Sequence, residues 1–153
     1  MYDIIRCQPS AAPSSFGFSS FYNFDSIKTR VISVSNLEEA LNYKNKKVLL
    51  VLQDYKFDEG AIRVIAEKKN VCFLIDLGRL VRSNGISRAV AISKIRNFLR
   101  LCAKYGAYYT FASFAERESQ IRTAEELIFM VSLFDLNKGQ AKFALKMLKN
   151  YLS

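Results

Sequence analysis

Apolar and polar positions alternate along the chain in two different rhythms. Lys47 to Gln53 (KVLLVLQ) and Val71 to Asp76 (VCFLID) are near-continuous apolar runs of strand length, as expected for strands covered on both faces. Tyr2 to Cys7 (YDIIRC), Arg30 to Val34 (RVISV) and Ala107 to Ala112 (AYYTFA) are rich in β-branched and aromatic residues and predict three further strands. Helix signals fall between them. Asn36 ahead of Glu38 and Glu39 predicts a short helix over Leu37 to Tyr43, and Asp58 opens another through Lys68. The spacing also predicts a long helix from Ile86 to Lys104. At helical periodicity Ile92, Ile95, Leu99 and Cys102 form one stripe, with Arg96, Arg100 and Lys104 in a row beside it.

The segments Gln8 to Asn23 and Leu77 to Asn84 read as loops. The first holds both prolines, Pro9 and Pro13, and several serines. Its phenylalanines Phe16, Phe18 and Phe21, with the neighbouring Phe24, either fold back on the body or form a partner-binding patch. At the other end, Thr123 with Glu126 and Asn137 with Gln140 each fit a capping box, predicting a helix pair over 123–153 that closes the sheet. Strands alternating with helices predict an α/β fold with a parallel sheet. A chain of 153 residues is expected to form one domain, 1–153, well short of the roughly 250 residues of a closed eight-fold barrel. Residues 1–24 read as a strand followed by a Ser/Phe-rich loop.

Composition narrows the chemistry. The sequence contains no His, which removes Ser-His and Cys-His dyads, His metal ligands and any base with an ordinary pKa near neutrality. Cys7, Cys72 and Cys102 stand far apart among apolar neighbours and are expected to be buried free thiols. Neither a Walker-type nor a dinucleotide-type glycine loop occurs. No leader or membrane span is read, and a cytoplasmic protein is expected.

Net charge is +9, and it is unevenly placed. No acid occurs from Leu77 to Ala115, where Arg79, Arg82, Arg88, Lys94, Arg96, Arg100 and Lys104 are found. Such a block is either a solvated basic face or a phosphate-binding one. Arg79, Arg82 and Arg88 around one loop, with Arg117 and Arg122 after the next strand, predict a rim of guanidiniums suited to RNA backbone. Arg96 and Arg100 extend it along the helix. Tyr55, Tyr105, Tyr108 and Tyr109 are expected in the core rather than stacked on bases. Asp54 and Asp76, each following a strand, are candidate Mg²⁺ ligands of a reduced metal-dependent hydrolase, or else ordinary turn and capping residues.

The run Asn70 to Leu133 adds a family likeness. It resembles ribonuclease P protein component 3, the thirty-kilodalton subunit family of archaea and eukaryotes. The likeness rests on a strand ending in an acid (Asp76), a basic loop (Arg82), and a long helix carrying Arg96, Asn97, Leu99, Leu101, Ala103, Lys104 and Tyr105. It continues in a strand closing on Ser113 and Ala115, and in Arg122 ahead of a helix with Leu127 near its start. The resemblance implies a reduced or incomplete TIM-barrel-like parallel β/α fold, looking like an archaeal version. It implies a subunit that is not itself catalytic, supporting an RNA that removes the 5′ leader from precursor tRNA with Mg²⁺. It also implies ribonuclease P RNA and protein component 2 as partners, with precursor tRNA contacted indirectly. The barrel is similar to that of polymerase-and-histidinol-phosphatase-type phosphoesterases, whose His ligands are absent here.

Overall fold

A computed structural model describes all 153 residues. Four strands, β3 (Val31–Val34), β4 (Val48–Leu52), β5 (Val71–Asp76) and β6 (Tyr108–Ala112), pair in that order, all parallel. A second parallel pair joins β1 (Tyr2–Ile5) to β2 (Ser20–Asn23). The two sheets meet where the chain leaves β6. The Phe114 amide donates to the Ile4 carbonyl at 2.9 Å and the Arg6 amide to the Ala115 carbonyl at 2.8 Å. The strands thus run β2-β1-β6-β5-β4-β3, and nothing pairs β2 with β3. The barrel-like expectation holds for the parallel β/α units, but the sheet stays open.

Successive strand residues point to opposite faces, and both faces are dry. Leu50, Leu52, Phe73, Ile75 and Phe111 pack with α3 (Glu59–Lys68), α5 (Gly85–Tyr105) and α6 (Ala124–Val131) in the larger core. Leu49, Cys72, Leu74 and Ala112 face the other way, against Leu148, Tyr151 and Leu152 of α7 (Lys138–Leu152). The Thr110 hydroxyl fastens that helix by donating to the Ala144 carbonyl at 2.7 Å. Each large side chain so buried contributes roughly 1.5–3 kcal/mol. Both capping boxes form, Thr123 with Glu126 and Asn137 with Gln140, satisfying amides that would otherwise be orphaned at the starts of α6 and α7.

Three local expectations change. Residues 77–84 are not all loop, because Leu77–Arg82 forms a helix, α4, capped by Asp76. The 8–23 segment holds β2 and a single 3-10 turn at Pro13–Phe16, and a short helix, α1 (Phe24–Ile27), follows. Cys7 is only half-buried, whereas Cys72 and Cys102 are buried; all three are free. The helix Leu37–Ala40, α2, completes the set.

Candidate nucleic-acid interface

The interface is built on the carboxyl ends of β5 and β6. Asp76 ends β5, and its Oδ1 accepts the Arg79 amide at 2.9 Å, so the acid is the N-cap of α4. Leu77 and Leu80 are buried beneath that helix, which leaves Arg79 and Arg82 outward. Gly78 lets α4 sit directly on the end of β6. A Cβ there would lie 2.3 Å from the Ser113 carbonyl oxygen, so no side chain fits without a shift. Burial raises the Asp76 carboxyl above its ordinary range, opposed by the Arg79 amide and by Arg82, whose guanidinium stands 3.9 Å away.

Arg88 fixes the junction between α4 and α5. Its guanidinium donates to the Val81 carbonyl at 2.9 Å and also to the Ser83 carbonyl. These bonds use donors but leave the charge uncompensated. Beyond the junction, Asn84 and residues 85–90 of α5 are all exposed.

The chain after β6 supplies the facing wall. Ser113, on which the strand closes, is buried and held by Asp3, a wholly buried acid on β1. Gln120 accepts the Glu116 amide at 2.9 Å, which folds 116–120 into a compact turn. Arg117 is exposed within this turn and Arg122 just beyond it. A cleft of about 60 Å³ brings Arg82, Arg122, Gln120 and Ser113 together. An adjoining groove brings Arg122 and Arg88 together. Arg79 lines a separate pocket of about 280 Å³ with Asp54, Asp76 and Lys94. Arg117 lines none of these clefts.

The row along α5 is engaged elsewhere. Arg100 stands 3.1 Å and Arg96 3.2 Å from the Asp135 carboxylate, Arg96 also donates to the Leu133 carbonyl at 2.8 Å, and Lys104 meets Glu59 at 2.6 Å. The basic flank read on this helix is therefore largely neutralised, whereas around α4 and the start of α5 Arg79 and Arg88 have no ion-pair partner and Arg82 only the distant Asp76.

The other sequence candidates take bland roles. Asp54 pairs with Lys94 at 3.3 Å, Asp76 caps α4, and no group of three His, Cys, Asp or Glu side chains converges anywhere. Phe18 is buried, and Phe16 and Phe21 pack against the core, so the N-terminal phenylalanines fold back on the body. Tyr55, Tyr105, Tyr108 and Tyr109 also pack against the two cores. Sequence reasoning missed Asp3 and Gly78; a lone acid inside a hydrophobic strand was the available signal for the first.

No family model matches the chain. Ribonuclease P protein component 3 of Methanococcoides burtonii is 26% identical over 125 residues, covering 77% of this chain and 52% of that protein. The chain thus spans about half the length of this curated relative. In three dimensions it resembles a chain of the cryo-EM structure of archaeal Ribonuclease P with mature tRNA. The TM-score is 0.73 at 15% identity, covering 99% of this chain and 90% of the other. The chain is thus similar in sequence to Ribonuclease P protein component 3 and in fold to a chain of archaeal Ribonuclease P.

Proposed function

We propose that the chain, acting as one domain over residues 1–153, is a cytoplasmic protein subunit of an archaeal-type ribonuclease P. In this reading it supports RNA-catalysed removal of the 5′ leader from precursor tRNA and performs no chemistry itself. The similarity to component 3, with a fold matched over 99% of the chain, is the observation that carries the reading. No helix is long and apolar enough to cross a membrane.

The physical role follows from the rim. Arg79, Arg82, Arg88, Arg117 and Arg122 hold backbone phosphates of ribonuclease P RNA, each guanidinium able to give two parallel hydrogen bonds to one phosphate. Arg96 and Arg100, tied to Asp135, serve mainly to fix α5 against the turn before α7. Protein component 2 is the partner subunit, and Mg²⁺ belongs to the RNA. Lowering the repulsion between closely packed RNA segments reduces the metal needed for the active fold.

Reconstitution tests this. Precursor-tRNA cleavage is measured at limiting Mg²⁺ with the RNA and partner subunits, with and without this chain. A higher rate with the chain is expected, and equal rates would remove the reading.

A further inference from the structure

The parallel sheet has two ends, and the α4 rim occupies only one of them. The connections entering β3, β4 and β5 finish in KTR (28–30), KNKK (44–47) and KKN (68–70), where seven of ten residues are cations and none is an acid. Because these strands run parallel, all three connections stand at the amino edge of the sheet, a strand's length of roughly 13–20 Å from the rim. They are also joined to one another. The Leu49 amide donates to the Arg30 carbonyl at 3.0 Å, and the Asn70 side chain donates to the Lys44 carbonyl at 3.2 Å.

This charge is exposed and uncompensated. Lys28, Arg30, Lys46, Lys47, Lys68 and Lys69 all face solvent, and the six ion pairs of the fold include none of them. Of the flanking acids, Glu67 is paired with Arg63 at 3.7 Å and Asp25 lies on α1 just before Lys28. Several of the cations are held by what lies beneath them. Lys47 Nζ stands 5.7 Å from the Tyr151 ring centroid, Lys69 Nζ 5.5 Å from that of Tyr108, and Arg30 donates to the Leu152 carbonyl at 3.0 Å. Lys69 has φ of 52°, a left-handed cap of α3 that glycine ordinarily fills, so the position carries a cation despite backbone strain.

Composition decides the occupant. A protein-docking face needs apolar or aromatic anchors and is poor in Lys. None of the large exposed hydrophobic side chains belongs to these connections. The same lack leaves nothing to enter a lipid surface. A row of lysines with a single arginine suits the phosphates of a polyanion, which a point charge holds without fixed geometry.

We infer that the amino edge of the sheet is a second RNA face, holding the backbone of a segment other than the one at the α4 rim, so that the subunit bridges two parts of the RNA. The inference rests on the reading of the chain as a ribonuclease P subunit and adds a site to it.

The test measures binding of ribonuclease P RNA to the full chain over a range of salt. The triple variant Lys46→Ala, Lys47→Ala, Lys69→Ala is expected to lower the slope of log K against log salt by roughly 2–3 units, and arginine at the same three positions to keep it. Combined with Arg79→Ala, Arg82→Ala and Arg122→Ala, the losses should add, because the faces lie at opposite ends of the strands. A benzophenone-bearing amino acid at exposed Asn45 should crosslink to an RNA segment distinct from the one reached from exposed Ser87, beside the rim. An unchanged slope in the alanine variant, an equal loss in the arginine variant, losses that fail to add, or one shared crosslinked segment would overturn the inference. So would a crosslink from position 45 to protein rather than RNA in the reconstituted complex. Absence of salt-dependent binding by the wild type would overturn the ribonuclease P reading as well, whereas wild-type binding with an unmoved slope in the alanine variant overturns this inference alone.

Discussion

The Ser113 hydroxyl donates to the Asp3 carboxylate at 2.5 Å across 110 residues of sequence, and the Ser113 amide donates to the same group at 2.8 Å. The Ile4 amide is a third donor at 2.9 Å. This fully buried cluster ties β1 to the end of β6, directly behind the rim that carries Arg82 and Arg122.

Burial raises the Asp3 carboxyl to about 6, with the three hydrogen bonds pulling the other way. A carboxyl raised in the folded state contributes stability that is complete below its unfolded pKa, near 3.8, and lost as pH rises through 6. Asp3→Asn keeps an oxygen for the two amides and an NH₂ group that can donate to the Ser113 hydroxyl, and it does not titrate. Urea unfolding should therefore show wild type gaining about 2–3 kcal/mol relative to Asp3→Asn between pH 7.5 and pH 4. A flat difference would place the titration elsewhere. Asp3→Ala, which leaves two buried amides without acceptors, should cost roughly 2–4 kcal/mol.

Gly78→Ala should be more disruptive than its size suggests. The added methyl would stand 2.3 Å from the Ser113 carbonyl and 3.1 Å from the Arg82 guanidinium, so α4 must lift. A loss of about 1–3 kcal/mol is expected in chemical denaturation, together with weaker RNA binding as Arg79 and Arg82 move. Stability equal to wild type would mean that α4 does not ride on β6.

Asp135→Asn isolates a charge effect. Asp135 has φ of 63°, a left-handed conformation that Asn accepts readily, so the backbone should be undisturbed. Losing the ion pairs to Arg96 and Arg100 should cost about 0.5–1 kcal/mol at low salt and less near 1 M, because these groups are partly exposed. Thermal melts at both ionic strengths would check it.

RNA affinity should distinguish rim from row. The triple variant Arg79→Ala, Arg82→Ala, Arg122→Ala should lower the slope of log K against log salt by roughly 2–3 units, and the double variant Arg96→Ala, Arg100→Ala by a fraction of one. The reverse order would move the interface down α5.

Much of the architecture is legible locally, and the exceptions share a cause. β4 and β5 announce themselves because a strand buried on both faces must be apolar throughout. β2 (SFYN) is four half-buried residues whose only pairing is with β1, so nothing in its own composition separates it from the surrounding loop. α4 is obscured by Gly78, a poor helix former placed there for close packing rather than propensity. The arginine block is visible in sequence, but its neutralisation is not, because Asp135 and Glu59 lie 35 and 45 residues from Arg100 and Lys104. Asp3 is the extreme case, its partner being the full 110 residues away.

The seat of β1 beside the end of β6 also sets the order of assembly. The β/α units from β3 to β6, and the local β1–β2 pair, close over short stretches of chain, whereas β1 meets β6 only when most of the chain is in place. Such a contact of high sequence separation is entropically late, so the bonds that join the two sheets form in the last stage of folding. In hydrogen exchange during refolding, amides of β4 and β5 should become protected first and the Arg6 and Phe114 amides, which bridge β1 and the end of β6, last, with completion of the rim waiting on that final step.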